Sequence, residues 1–251
     1  MTAPVLIEVE HLVADYGERR ILDDISFTVF QGEILVILGG SGSGKSTLLK
    51  HMVGLLQPTA GTVRYQGHDL VHMEEDERTV LLQRIGVSFQ SGGLFNSLTI
   101  AENVALPLRE YSEFDEETIQ ALVRMKLSLV GLADAAHLLP EELSGGMRKR
   151  AGVARALALD PECLFFDEPS AGLDPITAAG LDRMILALRR LLGLTLVVIT
   201  HELTSICTIA DRALMLDQGR IAFLGPLTEV PASTNARVHQ FFERRPDEPA
   251  A

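Results

Sequence analysis

A glycine-rich segment follows an apolar run near the start of the chain. The run covers residues 33–38, and residues 39–46 after it fit the pattern G-x-x-x-x-G-K-[ST]. Glycines let consecutive backbone N–H groups turn toward an anion, and the N-terminus of a following helix adds partial positive charge. The lysine would reach the phosphates and the serine hydroxyl would bind Mg²⁺. We therefore predict a phosphate-binding loop made of Gly39, Gly40, Ser41, Gly42, Ser43, Gly44, Lys45, Ser46 and Thr47.

Two adjacent carboxylates end a second apolar run, at residues 163–166. Ligands of α/β sheets bind at the carboxyl ends of the strands, so we expect Asp167 to bind Mg²⁺ directly or through water. Glu168 is expected to orient and polarise an attacking water as a general base. The alternative interpretation is a turn that simply ends a strand. Together with the phosphate-binding loop, the pair predicts hydrolysis of a nucleotide.

A short serine-glycine motif lies between the loop and the carboxylates. Ser144 can cap the helix predicted after it, and Gly145 and Gly146 permit a phosphate to approach the backbone. The motif is a weak signal by itself, but its position between the other two motifs makes it specific. With these three motifs in this order, residues 5–225 resemble the ATP-binding-cassette (ABC) ATPases.

The resemblance implies roles for further residues. Tyr16 is similar to the aromatic residue that stacks on adenine, and Gln90 to the glutamine that contacts Mg²⁺ and couples to a transmembrane partner. Asp174 lies in a segment similar to the loop that passes between subunits, and His201 is similar to the histidine that contacts the γ-phosphate. The alternatives are packing for Tyr16, a helix cap for Asp174 and an ordinary core or surface histidine for His201. ATP and Mg²⁺ are the implied ligands. The implied catalytic residues are Lys45, Glu168 and His201.

Buried strands alternate with helices along the chain, which predicts an α/β fold. Strands are predicted at residues 5–9, 25–30, 33–38, 163–166 and 195–199. A helix should begin at an Asp174 cap, with Pro175 in its first turn, and end at Gly193. The resemblance implies the P-loop NTPase fold of ABC ATPases, with a RecA-like parallel-sheet core, a β subdomain and a helical signature subdomain. The ATPase domain would cover residues 5–225, with its helical subdomain at about 91–160, and a C-terminal extension would cover residues 226–251.

Composition excludes several classes of protein. The 34 acidic residues exceed the 22 Lys and Arg and leave a net charge of -12, which argues against a nucleic-acid partner. A hydrophobic fraction of 47% is typical of a folded globular protein. No apolar run approaches the roughly 18 residues that cross a bilayer. The start of the chain lacks a signal-peptide pattern, and Cys163 and Cys207 have no disulfide-framework or metal-site spacing. The sequence predicts a soluble cytoplasmic protein.

A narrower resemblance concerns the cargo. Met147 ends the signature where most cassettes carry glutamine, and residues 89–108 are similar to the Mla/Mce lipid-transport ATPases. The likeness implies ATP-powered phospholipid transport between the inner and outer membranes of a Gram-negative envelope, driven from the cytoplasmic face of the inner membrane. The implied partners are transmembrane permease subunits, an MCE-domain lipid-binding protein and a STAS-domain regulator. The alternatives are another cargo, such as an amino acid, a metal or a lipoprotein, or a soluble cassette such as a cluster-assembly ATPase.

The chain carries one phosphate-binding loop and one signature. In ABC ATPases the signature of one subunit closes over the nucleotide of the other, so the resemblance implies an ATP-sandwich dimer of two copies. Val238, Phe241 and Phe242, at helical spacing, either pack on their own domain or grip the second copy. The basic residues 148–150 are either a phosphate-binding cluster or, as we predict, the solvated face of the signature helix.

Overall fold

The computed structural model describes residues 3–246. They form two compact units, one built from the chain up to Glu74 together with the chain from Ile199 onward, the other from Glu75–Val198. Strands β1 to β10 cover, in chain order, Val5–Tyr16, Arg19–Phe30, Ile34–Gly39, Ala60–Tyr65, His68–Asp69, Ile85–Ser88, Cys163–Asp167, Thr195–Ile199, Arg212–Asp217 and Arg220–Pro226. Helices α1 to α8 cover Lys45–Met52, Glu75–Leu82, Ile100–Tyr111, Glu116–Leu129, Gly145–Ala156, Pro175–Leu192, Leu203–Ile209 and Ala236–Phe242. Within this described part of the chain, no helix combines the length and apolar character needed to span a bilayer.

The first unit holds the strand that leads into the glycine-rich loop. It contains an antiparallel sheet in the order β2-β1-β4-β5, and β3 runs parallel to β9, which pairs antiparallel with β10. Every residue of β3 is buried, as predicted for an apolar run covered on both faces. The Ile34 N–H donates to the Asp211 carboxylate at 2.8 Å, and the Thr200 N–H donates to the Ile37 carbonyl at 3.2 Å. These bonds fix both ends of the strand.

The second unit combines parallel strands with a group of helices. Strands β6 and β7 pair in parallel, with β8 beside β7, and α3, α4 and α5 pack against one another. Helix α6 begins as predicted, because the Asp174 carboxylate accepts bonds from the Ile176 and Thr177 N–H groups, both at 3.0 Å. The helix ends at Gly193, which has a left-handed φ of 67°. A side-chain cap and a glycine stop therefore define this helix.

The C-terminal helix α8 packs on its own unit. Val238 is fully buried, and the Asn235 side-chain amide donates to the Ala222 carbonyl of β10 at 3.2 Å. Phe241 and Phe242 meet edge to face. This packing agrees with the first of the two alternatives for these apolar residues, and contact with a second copy stays a prediction. Residues 247–251 of the charged tail lie outside the described residues.

Asn103 organises the segment that connects β6 to α3. The residue is fully buried, and its side-chain oxygen accepts a hydrogen bond from the Phe95 N–H at 2.8 Å. Its side-chain amide donates to the carbonyls of Phe95, Leu98 and Thr99, at 3.1, 3.0 and 3.0 Å. One buried side chain thus holds backbone groups of three residues of this segment by hydrogen bonds.

We expect Asn103→Ala to lower the free energy of unfolding by about 3 kcal/mol, because a fully buried side chain is removed and four hydrogen bonds to the segment are lost together. Denaturant unfolding of the purified protein measures the change. Asn96→Ala is the matched control, since Asn96 is exposed on the same segment, and its effect should stay below about 0.5 kcal/mol. Similar losses in both variants would show that Asn103 does not hold the segment.

Candidate active site

The loop after β3 requires glycine at its first position. Gly39 has a φ of 144°, and a Cβ there would lie 2.2 Å from the Leu216 carbonyl oxygen and 2.8 Å from the Ser43 hydroxyl. Gly44, directly before α1, has a left-handed φ of 104°, and a Cβ there would lie 2.6 Å from a methyl group of Leu22. The close Leu216 carbonyl therefore explains the glycine at position 39, and the left-handed φ explains the glycine at position 44.

Lys45 lies over this loop. Its Nζ donates to the carbonyls of Gly39 and Gly40, both at 2.9 Å, so a cation is held beside the backbone of the predicted phosphate site. The Ser43 hydroxyl is buried and has no hydrogen-bond partner among the described residues. Ser46, which follows Lys45 in the first turn of α1, is exposed. A held cation and a buried hydroxyl without a partner, both on a glycine-rich loop, fit a nucleotide phosphate.

His201 and Tyr16 also belong to the first unit. The Thr200 N–H bonds to the Ile37 carbonyl near the end of β3. His201 is the next residue, so it lies near the point where the glycine-rich loop begins. The His201 side chain is 56% exposed, with its Nε2 3.8 Å from the Glu202 carboxylate. Tyr16 ends β1 and is 53% exposed. Neither residue is part of the core, which argues against packing for Tyr16 and against a core position for His201.

The second unit places Gln90 and Asp167 at one sheet edge. Ser88 of β6 pairs with Phe166 of β7 in a parallel register, and Asp167 ends β7. Gln90 follows two positions after Ser88 and is exposed. The amide and the carboxylate therefore come from the carboxyl ends of two paired strands. The hydroxyl of Ser46, the amide of Gln90 and the carboxylate of Asp167 are hard oxygen donors of the kind Mg²⁺ prefers.

The Glu168 turn follows β7 in an unusual conformation. Glu168 has a φ of 49°, which non-glycine residues adopt only when their surroundings impose it. Its carbonyl accepts a bond from the Ala171 N–H at 3.2 Å and another from Lys149 Nζ at 2.9 Å. One carboxylate oxygen of Glu168 is buried.

The prediction of a solvated basic face for residues 148–150 was wrong for two of them. Lys149 is half-buried; burial lowers its pKa, while the nearby carboxylates of Glu168 and Asp167 raise it. Arg150 Nη1 donates to the Val130 carbonyl at 3.0 Å. Helical spacing could have predicted this partial burial. Residues 149 and 150 lie three and four positions after the buried Gly146, so they share its face of the helix.

The signature opens α5 as predicted. Ser144 is the N-cap, with its hydroxyl accepting from the Met147 N–H at 3.3 Å. Gly145 is exposed, whereas Gly146 is buried and a Cβ there would lie 2.5 Å from the Thr177 methyl group. Close packing against Thr177 therefore explains the glycine at position 146. Gly145, by contrast, is exposed to solvent. Asp174 caps α6, and hydrogen bonds from Thr177, foremost from its hydroxyl, lower the pKa of Asp174.

The candidate residues therefore fall into two groups. The glycine-rich loop, Tyr16 and His201 belong to the first unit, while Gln90, the carboxylate pair, the signature and Asp174 belong to the second. A phosphate-sized loop that joins a buried parallel strand to a helix defines the class of P-loop nucleotide hydrolases.

Comparison with known proteins narrows this class. A family model described as ABC transporter matches residues 22–171. The chain is 40% identical to the intermembrane phospholipid transport system ATP-binding protein MlaF of Haemophilus influenzae, over 97% of this chain and 92% of that protein. It is 39% identical to the probable ribonucleotide transport ATP-binding protein mkl of Mycobacterium tuberculosis, over 96% of this chain and 67% of that protein. The chain therefore belongs to the ABC transporter ATP-binding family, and it is an ATPase.

Solved structures agree with this assignment. The dimeric cassette MJ0796 bound to ADP and phosphate superposes with a TM-score of 0.81 at 30% identity, over 88% of this chain and 99% of that one. CbiO1 of Clostridium perfringens, part of the ABC transporter complex cbiONQ, superposes with a TM-score of 0.83 at 27% identity, over 92% of each chain. The predicted ABC ATPase fold with a parallel-sheet core is thus confirmed.

Proposed function

We propose that the chain is the ATP-hydrolysing subunit of an ABC transporter that moves phospholipid between the inner and outer membranes of a Gram-negative-type envelope. The observation that carries this proposal is the 40% identity to a phospholipid-transport ATPase over nearly the full length of both chains. On this proposal the protein works at the cytoplasmic face of the inner membrane, bound to permease subunits. An MCE-domain lipid-binding protein and a STAS-domain regulator complete the assembly.

The hydrolytic roles follow the geometry of each unit. Residues 39–47 hold the phosphates, and Lys45 moves from its backbone carbonyls to the β- and γ-phosphates. Mg²⁺ would be held by Ser46, Gln90 and Asp167, and when bound it neutralises phosphate charge. Glu168 accepts the proton of the attacking water. The exposed rings of Tyr16 and His201 bind the nucleotide: Tyr16 stacks on adenine, and His201 contacts the γ-phosphate.

Two copies complete each site. Ser144 and Gly145 of the signature are exposed, which suits approach of a phosphate that is bound to the loop of another chain. Asp174 would lie in the loop that passes between the subunits. The solved cassette MJ0796 is dimeric, which supports this arrangement. ATP would then favour the closed pair through contacts that the open state lacks.

The permease is proposed to dock beside Gln90. A cleft of about 180 Å³ in the second unit is lined in part by Phe89, Gly92, Pro107 and Arg155. Phe89 is 38% exposed and Phe95 is 48% exposed, while Arg155 stacks over the Phe95 ring at 4.8 Å. Exposed aromatic rings around a preformed cleft suit an apolar segment of a membrane protein.

Purification from mildly solubilised membranes tests this proposal. The tagged chain should bring down stoichiometric permease and MCE-domain subunits, identified by mass spectrometry. Phe95→Asp should lower permease recovery at least about tenfold, because it places a charge at the docking surface. Leu191→Asp is the control, since Leu191 is 65% exposed on α6, and it should recover the permease normally. A permease accompanied by a periplasmic solute-binding protein, or recovery of the chain alone in the soluble fraction, would contradict lipid transport.

A further inference from the structure

Lys149 contacts the backbone of the proposed general base. It lies in the second turn of α5, and its Nζ is 2.9 Å from the Glu168 carbonyl oxygen. The neighbouring cations have other partners. Arg148 makes a long contact of 3.5 Å with the Leu143 carbonyl, and Arg150 bonds to the Val130 carbonyl. Within the signature helix, Lys149 therefore stands out as the cation that reaches the carboxylate turn.

The bond acts on a strained turn. Glu168 has a left-handed φ of 49°, a conformation that persists only where contacts over-determine it. Two donors, the Ala171 N–H and the Lys149 ammonium, converge on its carbonyl. Because φ fixes the direction of the Cα–Cβ bond, holding this turn also fixes the direction in which the Glu168 side chain leaves the backbone.

The charge of Lys149 adds to the effect of its hydrogen bond on the Glu168 turn. Asp167 and Glu168 are neighbouring carboxylates, and one oxygen of Glu168 is buried. Lys149 is half-buried, so the interaction between its ammonium and these carboxylates is screened less than a surface pair would be. A cation at this point offsets part of the repulsion between the two carboxylates.

We propose that Lys149 is a positioning residue for ATP hydrolysis: its ammonium holds the Glu168 turn so that the carboxylate faces the attacking water. The inference rests on the proposed role of Glu168 as general base. Lys149 itself touches neither nucleotide nor water in this account. Its loss should therefore slow the chemical step without weakening nucleotide binding.

Steady-state kinetics of the purified transporter tests the inference. Lys149→Met, which keeps the length of the side chain and removes its donor, should lower kcat by about 10- to 100-fold, with the KM for ATP unchanged within about twofold. Lys149→Arg retains a cation that can reach the carbonyl, so it should keep most of the native kcat. Arg124→Met is the control, because Arg124 is exposed on α4, and its kinetics should match the native protein.

A double-variant comparison separates this inference from the role of Glu168. In a Glu168→Gln background, adding Lys149→Met should cause no further loss of kcat, because both substitutions impair the same group, the Glu168 carboxylate. If Glu168→Gln is inactive while Lys149→Met hydrolyses ATP at the native rate, the inference is overturned and the general base stands. If Glu168→Gln remains active, the proposed base itself is wrong. A Lys149→Met variant with raised KM and native kcat, or an arginine variant as slow as the methionine variant, would also overturn the positioning role.

Discussion

Glu168→Gln should lower ATP hydrolysis by about 10³-fold while leaving ATP binding intact. Glutamine keeps the size and shape of the side chain, but it cannot accept a proton from water, and general-base catalysis contributes roughly 10²- to 10⁴-fold. Since the nucleotide then stays bound, ATP with Mg²⁺ should hold the variant as a closed dimer. Phosphate release by the purified transporter measures the rate, and size-exclusion chromatography with ATP measures the dimer.

Glu117→Gln is the matched control for this variant. Glu117 is exposed on α4, so its neutralisation should leave both hydrolysis and the oligomeric state as in the native protein. Hydrolysis by Glu168→Gln within about threefold of the native rate would reject Glu168 as the base, because that ratio is worth less than 1 kcal/mol of barrier. A variant that stays monomeric with ATP and Mg²⁺, even in the presence of its permease, would count against the ATP-sandwich mechanism.

Gly39→Ala should be the most damaging single change in the phosphate-binding loop. The added methyl group would lie 2.2 Å from the Leu216 carbonyl oxygen, at a residue whose φ is 144°. Either β9 or the loop must move, so we expect the free energy of unfolding to fall by about 3 kcal/mol or more. ATP binding should be lost as well, because the loop backbone forms the phosphate cradle. Denaturant unfolding and nucleotide titration measure the two effects.

The adjacent glycine supplies the control. A Cβ at Gly40 meets nothing within 4 Å, so Gly40→Ala should change the free energy of unfolding by less than about 0.5 kcal/mol. Equal stability of the two variants would show that the close approach between Gly39 and Leu216 does not constrain the loop.

Elements with local signals were predictable from the sequence. Helix α6 has its cap at Asp174 and its stop at Gly193, and the observed helix, Pro175–Leu192, fills the interval between them. The continuous apolar runs of β3, β7 and β8 were likewise recognisable as buried strands. By contrast, β1 and β2 extend well beyond the predicted residues 5–9 and 25–30. They pair through several register shifts, which interrupt the alternation that reveals a strand.

In the candidate site, too, the sequence indicated only those features that have a local pattern. Motif residues could be predicted because glycines, a lysine and carboxylates follow apolar runs at fixed spacings. The Lys149 bond to Glu168 and the hydrogen bonds of Asn103 were not predicted, because each depends on backbone groups that only the folded chain brings within reach. A cationic side chain in a helix has many possible partners, and sequence spacing alone does not select a carbonyl 19 residues away.

ATP-dependent lipid movement is the most direct test of the proposed transport function. The complete transporter, purified with its membrane partners and placed in vesicles containing a fluorescent phospholipid, should exchange that lipid with acceptor vesicles in one direction when ATP and Mg²⁺ are supplied. The same complex carrying Glu168→Gln should show no ATP-dependent exchange. Native ATP hydrolysis without ATP-dependent phospholipid movement in either direction would contradict the proposed function.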